Sequence, residues 1–172
     1  DGSNKGFEYD VFGRIKKEIL PYDDADYPTK EYAYTLDGNA PESIKISQRE
    51  NSGKAGTLDS YYFYDGFGNL IQTKSEAENS QQIEIDFYYD ELNRITKQSN
   101  PYFVPANNGY STPSQSAYFT NYLYDALSRV IRIINPDSTQ KNTLFDHWKI
   151  NLIDENNYKK VYVLNAHEQI TG

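Results

Sequence analysis

An aromatic-x-tyrosine followed directly by an aspartate, with a turn-forming residue three positions further on, occurs four times in this chain. The four stretches are "FEYDVFGRIKK" from Phe7, "YYFYDGFGNLIQ" from Tyr61, "FYYDELNRITK" from Phe87 and "YLYDALSRVIR" from Tyr122. A catalytic motif needs a single copy, so the recurrence points to one small folding unit used repeatedly. The first copy places Tyr9, Asp10, Gly13 and Arg14 in its slots, and the second places Tyr64, Asp65, Gly68 and Asn69. The third has Tyr89, Asp90, Asn93 and Arg94, and the fourth has Tyr124, Asp125, Ser128 and Arg129. A decayed fifth copy offers Tyr162, Leu164, Asn165, Glu168, Gln169 and Ile170.

Each slot has a physical reason. The aromatic two residues before each tyrosine (Phe7, Tyr62, Phe87, Tyr122) shares its strand face, where rings can stack across a ladder. Asp and, three positions later, Gly are favoured at the two ends of a type I turn. The carboxylate accepts backbone N–H groups inside the turn, and glycine accepts the positive φ of the bulge that closes such a hairpin. Asn93 also reaches that left-handed region, Ser128 less readily and Glu168 poorly, which predicts tight turns in the first three copies and looser ones in the last two. An aliphatic residue then starts the return strand. Each copy therefore reads as a hairpin, centred near 10–13, 65–68, 90–93, 125–128 and 165–168.

Partial units fill the gaps. "EYAYTLDGN" (31–39) supplies Tyr32 and Tyr34 before an Asp37-Gly38 turn, and "TLFDHWKI" (143–150) supplies Phe145 and Asp146. "INPDST" (134–139) reads as a Pro-Asp turn, and 153–164 as a turn feeding a last strand. Two stretches read as long irregular loops: "QRENSGKAG" near 48–56, and the proline-containing "NPYFVPANNGYSTPSQS" near 100–116. The best helical candidate, "TKSEAENSQQ" (73–82), reads better as a polar hairpin end. The fold class that follows is all-β: an antiparallel sheet of successive β-hairpins, forming a single repeat segment over 1–172.

Composition agrees. Only 37% of the 172 residues are hydrophobic, too few for a large aliphatic core, while 17 Tyr and 8 Phe suit thin, half-wet sheets. A net charge of −8 argues against nucleic-acid binding, which needs clustered Lys and Arg. No apolar run is long enough for a membrane helix, so no membrane insertion is expected. The absence of cysteine excludes disulfides and thiolate metal sites. No methionine starts the chain, which is expected to be a piece of something longer.

"YDVFGRI", "YDGFGNL", "YDELNRI" and "YDALSRV" resemble the YD-repeat, or RHS (rearrangement hot spot), family, with similarity from Phe7 to Ile170. The resemblance implies a long antiparallel sheet spiralling into a hollow shell around a variable C-terminal toxin or effector domain. It also implies a secreted or bacterial cell-surface location, with neighbouring YD repeats and a cargo domain of the same parent protein as partners. With so few repeats, and without the family's autoproteolytic stretch, the chain is expected to be a segment of shell wall. It departs from the family pattern at Asn69, Ser128, Glu168 and Gln169. An isolated segment would expose edge strands and is expected to self-associate through them.

No residue pattern points to catalysis, a cofactor or a metal. His147 and His167 are the only histidines; Asp146 precedes His147, but neighbours in a strand point to opposite faces. The repeated aspartates are spread one per hairpin, each with a turn to cap. Asp23, Asp24 and Asp26 form the densest acidic cluster, which reads as a solvated loop rather than a cation site. "DGSNKG" at the start resembles a calcium-loop fragment but puts Lys5 in a ligand position. The tyrosine rows could stack on carbohydrate, with Tyr102 and Tyr110 in the long loop as discriminating residues, yet cross-strand packing already accounts for them. Nucleophile-elbow, phosphate-loop and zincin motifs are missing, and the chain reads as a non-enzyme.

Overall fold

A computed structural model describes residues 5–167 and 169–171. The first four residues of "DGSNKG", and Glu168 of the fifth copy, lie outside the described residues. Among those described, every regular element is a strand. The strands are β1 (Gly6–Tyr9), β2 (Ile15–Ile19), β3 (Lys30–Thr35), β4 (Glu42–Arg49), β5 (Thr57–Tyr64), β6 (Leu70–Glu76) and β7 (Gln81–Tyr89). They continue as β8 (Ile95–Ser99), β9 (Tyr102–Pro105), β10 (Phe119–Tyr124), β11 (Val130–Ile134), β12 (Gln140–Asp146), β13 (Lys149–Ile153) and β14 (Lys159–Val163). All pairings are antiparallel, and apart from β9 each strand lies beside its neighbour in sequence. Hairpin succession, the expected fold class, is what the structure has.

Two compact units are present. One comprises the residues up to Asp86 together with Pro101–Pro113; the other comprises Phe87–Asn100 and the residues from Ser114 onward. In the first, β1 to β7 pair in order and β9 returns to pair with the start of β7, matching Glu84 with Tyr102. In the second, the end of β7 pairs with β8, which continues through β10 to β14.

The four full copies share one register. Tyr9 pairs with Ile15, Tyr64 with Leu70, Tyr89 with Ile95 and Tyr124 with Val130, each with a bulge immediately before that tyrosine. The bulge follows from a residue at positive φ: Gly13 (77°), Gly68 (83°), Asn93 (57°) and Ser128 (62°). The loose fourth turn expected from the sequence is therefore corrected. Ser128 N–H bonds the Asp125 carbonyl at 3.0 Å, as Gly13 N–H bonds Asp10 and Asn93 N–H bonds Asp90. Two flanking strands hold the serine at an angle it avoids in isolation. In the described part of the fifth turn Asn165 N–H bonds the Gln169 carbonyl at 3.0 Å, as Asp125 N–H bonds the Arg129 carbonyl at 3.0 Å.

The same turn also occurs where no YD signature exists. Asn135 and Asp154 take the aspartate slot, with Ser138 (φ 68°) and Asn157 (φ 65°) in the left-handed position. The polar stretch 73–82 is a hairpin end, as expected: the end of β6, a turn over 77–80 and the start of β7. The region 100–116 is not merely irregular, because it contains β9 and then crosses a sheet face.

Candidate functional site

The repeated turn is built from one carboxylate used twice. Asp90 Oδ1 accepts the N–H groups of Leu92 and Arg94 at 2.9 and 3.0 Å, while Oδ2 accepts Arg94 Nε at 2.8 Å. Asp10 repeats this with Phe12 and Arg14, both at 2.9 Å, and Arg14 Nε at 2.6 Å. Asp125 does so with Leu127 and Arg129, both at 2.9 Å, and Arg129 Nε at 2.7 Å. At Asp65 the amide of Asn69 replaces the guanidinium, donating at 3.0 Å. The Arg94 side chain and then its N–H hold the Asp90 carboxyl below the ordinary carboxylate range. At Asp10, desolvation pushes the other way and is outweighed by the bonds from Arg14 and Phe12.

Each guanidinium also reaches the next hairpin. Arg14 lies 4.4 Å from the Tyr34 ring centre, Arg94 4.6 Å from Tyr124, and Arg129 3.9 Å from Phe145. The two tyrosines close the link by donating their hydroxyls backwards, Tyr34 to the Ile15 carbonyl at 2.8 Å and Tyr124 to the Ile95 carbonyl at 2.7 Å. The Asp–Arg pair thus ends one hairpin and clamps the following one. Sequence reading explained the aspartate and the glycine but missed this use of arginine. The rings follow their arginines by 20, 30 and 16 residues, so no fixed spacing signals the contact.

A second feature lies within the first unit, where the core is polar. Tyr61 and Phe63 are buried, and beside them so are Gln72, Lys74, Gln82, Glu84 and Asp86. The register puts them on one face: Tyr61 opposite Lys74, Phe63 opposite Gln72, Gln72 opposite Asp86, and Lys74 opposite Glu84. These rings are out of the motif slots. Tyr62 and Tyr64 share the other face, with Tyr62 opposite Ile44 and Thr73.

The segment 106–111 covers this face. Lys74 Nζ donates to the Gly109 carbonyl at 2.6 Å and lies 3.5 Å from Glu84 Oε2. Gln72 donates to Asp86 at 2.7 Å and to the Ser111 carbonyl at 2.9 Å, and accepts Ser111 N–H at 3.0 Å. Tyr102 OH lies 2.5 Å from Glu84 Oε1 and 2.6 Å from Asp86 Oδ2. One phenolic proton cannot serve two carboxylates, so both bonds together require a proton on a carboxyl. Glu84 is suited to hold it: burial above all, with the Asp86 charge, raises its pKa despite Tyr102 and Lys74. Glu84 Oε2 has no hydrogen-bond donor among the described residues.

Other candidates fall elsewhere. His147 leaves the strand at positive φ (49°), which brings Nδ1 to 2.7 Å from Asp146 Oδ1; the two, on opposite faces of a regular strand, meet through that bend. Both side chains are exposed to solvent. Asp23 is not simply solvated, since it accepts Ser52 Oγ at 2.7 Å, Gly53 N–H at 2.9 Å and the Thr29 hydroxyl, fastening the 50–56 loop. Among the described residues no cluster of His, Asp or Glu is arranged to hold a metal ion. Tyr102 is committed to the two carboxylates, and Tyr110 stands edge-on to Phe63 at 6.0 Å. Their loss would report on folding before it reported on a ligand.

No family profile and no curated protein matches the sequence. Solved structures do match. Two are crystal structures of TcdB2-TccC3, one without its hypervariable C-terminal region and one with Cdc42. Both align over 98% of this chain and 14% of theirs, with TM-score 0.74 at 12% and 13% identity. A third is the Tc holotoxin pore of Photorhabdus luminescens carrying a mutated TccC3, with TM-score 0.62 at 18% identity over 76% of this chain and 8% of that one. The chain therefore has the fold of a segment of these toxin-complex structures and spans about one seventh of the first two.

Proposed function

We propose that the chain is a non-catalytic YD-repeat module, one stretch of the β-shell wall of a larger secreted or cell-surface RHS protein that encloses or presents a C-terminal toxin or effector domain. The observation that carries this reading is the Asp–Arg clamp, which recurs in one geometry and joins consecutive hairpins. Such a device lengthens a wall. Its action would be steric: ladders and clamps keep a cargo domain from water, proteases and the host until release. Similarity of fold to TcdB2-TccC3 supports a toxin-complex setting.

Limited proteolysis of the full-length parent protein tests this. The domain downstream of the repeats should be protected in the intact protein and cut once this segment is deleted. Equal cleavage of that domain with and without the segment would overturn the reading.

A second reading, a protein- or carbohydrate-binding adhesion module, draws on one observation. Phe12, Phe67, Leu92 and Leu127 occupy the same slot at the tip of each YD turn, and all are exposed. Glycan-array or pull-down binding that disappears in Phe12→Ser with Phe67→Ser would promote it.

A further inference from the structure

The Lys74 ammonium carries three protons, and oxygens of residues 107–111 stand ready for all of them. Nζ lies 2.6 Å from the Gly109 carbonyl, 2.5 Å from Ser111 Oγ and 3.4 Å from the Asn107 carbonyl. Glu84 Oε2, 3.5 Å away, is buried and receives no donor among the described residues. The cover and the carboxyl therefore compete for one cation. The other bonds holding the cover come from neutral amides. Asn107 N–H donates to Gln82 Oε1 at 3.0 Å, and Gln72 both donates to and accepts from the Ser111 backbone.

A neutral Glu84 suits this arrangement. Its proton lets the Tyr102 hydroxyl sit between two carboxyl groups, and an uncharged Oε2 tolerates the lack of a donor better than an anion would. Once ionised, Oε2 is a buried anion whose nearest cation is turned towards the cover. Asp86 on the same strand repels it, and Tyr102 from β9 has one proton for both carboxylates. Burial keeps the phenols of Tyr61 on β5 and Tyr110 on the cover neutral. The Lys45–Asp59 pair and Glu76 lie further along the same face.

We propose that residues 107–111 form a proton-controlled strap: when Glu84 loses its proton, Lys74 turns to Oε2, gives up the Gly109 and Ser111 oxygens, and releases the strap from the polar face. The direction follows from linkage. The closed strap keeps a proton on Glu84 above its ordinary value of 4.5, so acid favours the closed state and rising pH the open one. Opening uncovers a face that holds Tyr61 and Phe63. The strap belongs to the first unit and does not draw on the wall reading.

Hydrogen exchange of the full chain at a series of pH values tests this. The amides of Asn107 and Ser111 report the strap, and those of β12 and β13 serve as the reference. Protection factors remove the base catalysis of exchange itself. From pH 4.5 to about 8, strap protection should fall about ten-fold or more while the reference holds. In Glu84→Gln it should be independent of pH. The carbon-13 resonance of the Glu84 carboxyl, followed in the unsubstituted chain, should titrate over the same interval in which the strap loosens. Constant strap protection in the unsubstituted chain would overturn the proposal. So would an equal fall in Glu84→Gln, a parallel fall in β12 and β13, or titration of Glu84 at its ordinary value.

Discussion

The two units share the turn clamps and differ in what holds the sheet beside them. The first seals one face of its sheet beneath residues 106–111 and buries Lys74, Glu84 and Asp86 there. In the second, Ser99 alone among the described residues is fully buried, and the ladder is held by turn clamps and by cations on rings, such as Lys97 at 3.7 Å from Phe119. A repeat can stand on local devices that each copy carries. A sealed polar face requires a cover from a distant part of the chain, and every buried charge must be answered.

The largest effect expected from breaking this contrast is at Lys74. At pH above the folded pKa of Glu84, Lys74→Met leaves that buried carboxylate without its cation and should cost about 3–5 kcal/mol. Hydrogen exchange should accelerate in β5 to β7 and β9 and remain unchanged in β11 to β13; uniform acceleration would count against separate units. Next, Tyr102→Phe removes the hydroxyl between the two carboxylates and should cost about 1.5–3 kcal/mol in urea unfolding, with the 106–111 cover loosened first. Smaller is Gly68→Ala, where φ of 83° imposes about 1–2 kcal/mol on any side chain, although open space surrounds the new methyl group. A neutral result there would mean the turn can change type.

The smallest effect per group is on pH dependence, and it has opposite signs in the two devices. The turn aspartates Asp10, Asp90 and Asp125 have carboxyls below their ordinary value of 3.8. Their contribution is complete above that value and disappears as pH falls through the folded pKa. Glu84 is raised above 4.5, so it favours the folded state at low pH, and that advantage is lost as pH rises from 4.5 through its folded pKa. Glu84→Gln should therefore flatten the stability decline on the rising side and leave the acid limb intact. An unchanged slope on the rising side would place the shared proton elsewhere.

Much of the second device was legible in the chain. Tyr-Asp, a left-handed residue and arginine are close in sequence, and turn chemistry acts over those few residues. What was misjudged there, the tightness at Ser128, reflects strands imposing a φ that residue preference disfavours. The turns at Asn135 and Asp154 were seen as turns but not as the same turn, because their side chains differ while the backbone geometry does not. The polar core was not legible. Lys74, Glu84 and Asp86 alternate as any solvent face of a strand would, and Tyr102 and Ser111 sit in what reads as a polar loop.

By itself the sequence determined the hairpins: where the chain reverses, in which register, and that strands succeed one another antiparallel. Those choices are made by backbone angles and carboxylate bonds spanning four residues. Only the tertiary structure decided which face is sealed and which charges lose water. Burial depends on what crosses a face from far along the chain, and alternation of polar residues carries no record of that cover.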